Sequence, residues 1–535
     1  MSATRPRVPK PIWSFWSLAL AVIVVVRYVL DVEVGIMNGI TLGLLLFLVA
    51  PVTFGWFVFL SGWPQRIRYV TACTLVLALL GLAALYEFNG YRGDMMPIFT
   101  SRFAASVDSI PEVAEPGTIA IDVLSTTPYD FPGFLGANRD LRIDNVVLAT
   151  DWEAKPPELL WRQQIGAGWS GFAVVNGFAA TLEERDGLEL VTLYDARTGA
   201  PLWQRHIGGE YDNVLGGRGP RSTPTIDSGN VYVLGVSGNL VALDGATGDL
   251  LWEHDLLAEY GVSDAEESAA MTHGRAGSPL IVRHMLITGV GGSRARRVSV
   301  AAYDKHSGVL LWEAGDHQAG MASPRQAHLA GREQVLLVNQ NVVSGHDPDT
   351  GAVLWEFEWP GISSADSNVS QAVPVEPNRV FISKGYGGGA ALYELDPEPG
   401  GRFTARQLWH EPRLLRTKLT NVAMRDGYAY GLSEGILECV EVATGERAWK
   451  AGRYHHGQIL LVGEALLVLT EDGELVMVEA SPENRNNVLG RFQAINGHTW
   501  NNFALYGDIL LVRNAQESAA YRLPVAGGSE LVAAR

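Results

Sequence analysis

A chain of 535 residues is too long for one ordinary single-core domain and long enough for three or more. Its composition, 47% hydrophobic and 19% charged, excludes a disordered chain and points to membrane segments diluting the charge. A net charge of −17 argues against nucleic acid as a partner, and two cysteines, Cys73 and Cys439, exclude a disulfide framework, a Cys-based zinc site and covalently attached haem.

Three apolar stretches open the chain, at residues 12–30, 40–60 and 69–86. Each has about the 18–21 residues needed to cross a hydrocarbon core as a helix. Arg5, Arg7 and Lys10 precede the first, and Arg66 and Arg68 separate the second from the third. Asp31, Glu33 and Glu87 lie at the opposite ends. By the positive-inside rule the N-terminus is expected in the cytoplasm and everything after Phe88 outside the inner membrane, in the periplasm. Two further spans argue against a cleaved signal peptide. Arg27 lies close enough to the outer interface to snorkel. Residues 89–157, rich in Pro, Gly, Asp and Ser, read as a tether with irregular structure lying against the next domain.

Past residue 158 one phrase recurs, for example Leu243-Asp-Gly-Ala-Thr-Gly-Asp-Leu-Leu-Trp252 and Tyr303-Asp-Lys-His-Ser-Gly-Val-Leu-Leu-Trp312. Its last residues are Trp161, Trp203, Trp252, Trp312, Trp355, Trp409, Trp449 and Phe492, spaced 42, 49, 60, 43, 54, 40 and 43 residues apart. Short alternating strands fill the gaps, as in Ser222–Ile226, Asn230–Gly235 and Asn239–Asp244, so the period is that of a propeller blade. Inner strands are expected to start near residues 171, 222, 277, 322, 370, 420, 457 and 501. The fold class is therefore all-β: an eight-bladed propeller over residues 158–527, preceded by a three-helix transmembrane anchor over residues 1–88 and followed by a tail at 528–535. Ring closure should pair residues 159–164 with the last strand and leave no open edge. The repeat tryptophans are expected to dock blades, and the Asp-x-x-Thr-Gly turns to cap backbone N–H groups, with Gly taking positive φ.

The phrase [Tyr/Leu]-Asp-x-x-Thr-Gly-x-x-Leu-Trp resembles the pyrroloquinoline-quinone (PQQ) repeat of quinoprotein alcohol and glucose dehydrogenases. It is also similar to the repeat in the propeller lipoprotein of the β-barrel assembly machinery. Gly219-Pro-Arg-Ser-Thr-Pro-Thr225, Gly452-Arg-Tyr-His-His-Gly-Gln458 and Thr499-Trp-Asn-Asn502 are similar to phrases in a bacterial group of PQQ-like repeat proteins. The dehydrogenase resemblance implies PQQ with calcium, ligated by Glu, Asn and Asp, together with an Asp base, a Trp beneath the cofactor and a vicinal Cys pair. This chain has no Cys-Cys and lacks the large insertions of those enzymes. Asp366 and Asn368 are the nearest approach to a base-and-calcium cluster.

Hydrolase, zincin, phosphate-loop and EF-hand motifs are missing. What remains is the set of connections entering the inner strands, which should gather on one face of the channel. They carry Trp169, Arg218, Arg221, His273, Arg275, Arg325, Arg416, Lys418, His456, Trp500 and Asn501. Arg221, Arg275, Lys418, His456, Trp500 and Asn501 form the candidate pocket for a small anionic ligand. The alternative is that these groups bond neighbouring blade backbones. The function expected is a membrane-anchored periplasmic binding or scaffolding module with a protein partner at a propeller face. The other reading is a PQQ-dependent dehydrogenase that oxidises an alcohol or sugar and passes electrons to membrane quinone.

Overall fold

A computed structural model of the chain describes residues 8–30, 32–103, 113, 119–360, 368–527 and 530–532. It divides into two compact units, Met1–Ser106 and Val107–Arg535. In the first, three helices are long and apolar enough to cross a membrane: Lys10–Tyr28, Val34–Leu60 and Gln65–Leu85. Arg27 donates from Nη2 to Asn38 Oδ1 (3.0 Å), and Asn38 Nδ2 donates to the Asp94 carbonyl (2.9 Å), so the arginine is tied to the second helix. The third helix ends at Leu85, and Tyr86–Tyr91 pairs antiparallel with Pro97–Ser101 in a hairpin that straddles the expected boundary between anchor and tether at residue 88. Its aromatic residues explain it: the Phe88 ring packs edge-on against Tyr91 and Phe99 at 5.0 and 6.2 Å.

The second unit is an eight-bladed propeller of four-stranded antiparallel blades. The innermost strands, in blade order, are Ala173–Val175, Thr225–Asp227, Leu280–Val282, Arg325–Leu329, Val373–Val375, Ala423–Arg425, Gln458–Val462 and Ala504–Tyr506. Inner and middle strands are covered on both faces by neighbouring blades, which is why runs such as Ala465–Leu469 are continuously apolar and fully buried. Outer strands alternate; Leu250–Asp255 is one example. Blade 8 takes its fourth strand, Glu158–Gln164, from the start of the propeller, antiparallel to Glu517–Arg522, so the ring closes as the sequence implies. Arg513, fully buried in blade 8, reaches into blade 1 and donates to Thr181 Oγ1 (2.6 Å) and to the Leu182 and Gly166 carbonyls (2.8 and 2.9 Å).

The inner strands start about three residues later than expected in seven blades. The intervening residues are engaged sideways, and the strand ladder begins only after them. Thr223 Oγ1 accepts from Gly171 N, Ser278 Oγ from Thr223 N, Ser323 Oγ from Ser278 N, and Asn421 Oδ1 from Gln371 N. A belt of side chains thus links each inner strand to the next around much of the channel.

Blade docking follows the repeat phrase. Indole Nε1 of Trp161, Trp203, Trp252, Trp312, Trp409 and Trp449 each donates to a carbonyl in the turn of the following blade, at 2.9–3.1 Å. In that turn Asp244 Oδ1 accepts from the N–H groups of Ala246 and Thr247. Gly248 lies at φ +75°, where a Cβ would come within 2.8 Å of the Trp203 ring. Trp355 differs: blade 5 has a stretched turn without Thr-Gly, and Trp355 bonds Gln334 of its own blade (2.6 Å) and stacks on Phe357. Phe357 in turn stacks on Tyr393 of blade 5 at 3.7 Å. Phe492 of blade 7 packs edge-on against Trp152 of the preceding segment (5.7 Å).

Residues 131–149 cross the end of the channel where the inner strands finish. Phe131 bridges Val174 of blade 1, Arg142–Ile143 adds a parallel strand to blade 7, and Leu148 bridges Val525 beyond blade 8. Arg139 is buried beneath this strap. It donates to the Ser278 and Pro324 carbonyls (both 3.0 Å), to Thr225 Oγ1 (3.2 Å) and to the Pro279 carbonyl, and burial lowers its pKa to about 9. The channel is therefore strapped at one end.

Candidate functional site

The opposite mouth of the channel is built by the connections entering the inner strands, and its strongest side-chain cluster lies across blades 7, 8 and 1. Trp169 enters blade 1 and Trp500 enters blade 8, with ring centroids 5.0 Å apart. His498 packs against both, at 5.3 and 4.3 Å. Beneath them is the fully buried carboxylate of Glu471, from the hairpin turn of blade 7. Its Oε1 accepts from Trp500 Nε1 (2.9 Å) and lies 3.3 Å from His498 Nε2. Its Oε2 accepts from His456 N at 3.4 Å. Trp169 Nε1 donates to the Gly216 carbonyl (2.5 Å), and the positive φ of Gly217 lets that loop lie on the indole. The result is a partly exposed aromatic and imidazole surface oriented by a buried carboxylate, suited to hold a ring or an apolar side chain and to exchange hydrogen bonds through His498.

The other predicted residues are each engaged by partners in their own or a neighbouring blade. Arg275 makes a two-pronged pair with Glu267 (2.7 and 2.9 Å) and donates to the Val290 carbonyl. Lys418 is buried 3.4 Å from Glu434 and lies over the Tyr386 ring. Arg218 pairs with Glu184 at 2.5 Å. Arg221 donates to the His273 and Gly217 carbonyls (2.8 and 2.5 Å) and lies over Tyr211, and burial lowers its pKa to about 10. Arg416 donates to the Pro412 carbonyl, and Arg325 is buried near Asp140 of the strap. Burial brings the His456 pKa down to about 4, so it is neutral at physiological pH. Asn501 and Asn368 act as blade staples: Asn501 Nδ2 donates to the Gly168 and Ser170 carbonyls, and Asn368 Nδ2 to those of Asn339, Gln340 and Trp359. Asp366 lies outside the described residues.

Glu471 and His498 did not emerge from the sequence as site residues. Glu471 stands in the turn Glu471-Asp-Gly-Glu-Leu475, which reads as a repeat phrase, and His498 is a lone histidine; only folding brings Glu471 beneath His498 and Trp500. For PQQ with calcium the described residues do not fit. Arg275 and Lys418 are already engaged by carboxylates, the amide of Asn368 by three carbonyls. Among the described residues, no group of three or more His, Cys, Asp or Glu is placed to hold a metal ion.

The family model described as outer membrane protein assembly factor BamB matches residues 149–294 and 187–451, more than half of the chain. The chain belongs to this family. A stretch of 183 residues is 25% identical to the quinoprotein alcohol dehydrogenase PedH of Pseudomonas putida, covering 26% of this chain and 29% of that protein. The chain thus spans under a third of that relative. Among solved structures it is similar to a europium-containing methanol dehydrogenase, at 12% identity and a TM-score of 0.55, over 75% of this chain and 99% of that one. It is also similar to the quinohemoprotein alcohol dehydrogenase ADHIIG of Pseudomonas putida HK5, at 14% identity and a TM-score of 0.52, over 78% and 85%. At such identities these two likenesses show the propeller fold alone.

Proposed function

We propose that the protein is a membrane-anchored, extracytoplasmic propeller that works as a binding or scaffolding module. The observation that carries this reading is the channel mouth, where Trp169, His498 and Trp500 present a partly exposed surface fixed from below by Glu471. Such a surface is preorganised for recognition, and aromatic groups of this kind anchor many interfaces. The strap at the other end and the self-paired cations of the mouth support the same reading, since they make the channel a rigid frame. A dehydrogenase reading keeps one specific support, the partial match to PedH.

The two readings separate in protein purified in detergent from its own host. A photo-crosslinking residue placed at exposed Val214, on the same loop as Gly216, is expected to trap one defined partner or ligand. The adduct should vanish in the Trp500→Ala variant while thermal unfolding stays cooperative. A bound quinone chromophore accompanied by dye-linked alcohol oxidation would overturn the scaffold in favour of the enzyme.

A further inference from the structure

The strap pairs through its backbone with blades 7 and 1 and with Val525 beyond blade 8, whereas it meets blades 3 and 4 through the Arg139 side chain. There the inner strand Arg325–Leu329 keeps Gln326 and His328 exposed while Ala327 and Leu329 are buried. The gap is a cavity of about 350 Å³ between the strap and blades 2–4, within the range of small-molecule sites. Its floor is apolar, formed by Ile226, Leu280 and Ala327, and its rim carries Asn138, Gln326, His328 and Glu333. Gly136, at φ +91°, sits against the Phe131 ring, where a Cβ would come within 3.2 Å. The strap can therefore turn back and bring Asn138 to the rim.

The charges around this cavity are already matched. Asp227 is held by buried Lys305, Glu333 lies 3.6 Å from Arg283, and the Arg139 guanidinium is committed to backbone carbonyls. The side chains of Asn138, Gln326 and His328, by contrast, make no hydrogen bond among the described residues. A ligand that satisfies two amides, an imidazole and the remaining carboxylate lone pairs must both donate and accept hydrogen bonds. It needs no net charge, and it needs a C–H face for the apolar floor. We propose that this cavity binds a neutral, polyhydroxylated ligand of mono- to disaccharide size. The site lies at the strapped end of the channel and is independent of the aromatic mouth.

The test uses the full-length protein in a detergent without a sugar head group. Maltose and the N-acetylglucosamine disaccharide are titrated by saturation-transfer NMR and calorimetry, with citrate and spermidine as charged controls. At least one saccharide is expected to bind, and the Gln326→Ala/His328→Ala double variant should weaken it tenfold or more. Both side chains are exposed, so the unfolding temperature should not change. The proposal is overturned if neither saccharide binds at about 10 mM, if the double variant binds as the parent does, or if citrate or spermidine binds there in their place.

Discussion

Glu189 is a buried carboxylate that bridges two blades with one oxygen unanswered. Its Oε1 accepts from Val236 N of blade 2 at 2.9 Å, while Oε2 has no partner among the described residues. Gly208 and Gly235 leave room for it, since a Cβ at either would come within 2.7 or 2.9 Å of that oxygen. Burial, with a contribution from Glu184, raises its pKa to about 7 against the pull of the Val236 N–H and Arg221. A folded-state pKa above the unfolded one makes its contribution to stability full at low pH and progressively lost as pH rises toward about 7. Glu189→Gln should therefore unfold like the parent near about pH 4 and be more stable by about 1–2 kcal/mol near about pH 8, by chemical denaturation. Equal stability of the two proteins at both pH values would show that the carboxylate is solvated. None of this was legible in the sequence, where Glu189 is one acidic residue in an alternating strand.

At the level of elements, the repeat phrase and its partner turn form one device. The indole of one blade enters the turn of the next, and the turn glycine is the residue that admits it. That much could be read from the Asp-x-x-Thr-Gly and Leu-Leu-Trp spacing, because this docking is repeated at six of the eight interfaces. The strap could not be read so, because a single irregular segment has no period to reveal it. Arg139 holds blades 2, 3 and 4 through four oxygens, three of them backbone carbonyls. Arg139→Ala should lower unfolding free energy by about 2–3 kcal/mol, since it strands buried acceptors, and should expose residues 131–143 to limited proteolysis. Arg139→Lys should recover little of this, because one ammonium cannot reach acceptors spread over three blades. Full stability of the alanine variant would mean that the strap is held by its strand pairing alone.

For the whole molecule, we propose from the cationic residues flanking the apolar helices that the propeller lies outside the cytoplasm. Alkaline phosphatase fused after Arg535 should be active, and a cytoplasmic reporter fused there should be silent; the reverse pattern would invert the molecule. The sequence by itself determined the membrane-length helices, the number of blades and the closure of the ring, because each rests on a period or a length repeated along the chain. It also placed Trp169 and Trp500 at the entries to inner strands. The tertiary structure alone decided which mouth residues meet. Arg275 and Lys418 find carboxylates close by in the sequence, whereas Trp169, His498, Trp500 and Glu471 come from three blades and from opposite ends of the propeller sequence. Closing the ring sets blades 1 and 8 side by side, and charge pairing is local and cheap to satisfy. Hence the cations that stood out in the sequence became structural, and the site formed where the two ends of the ring join.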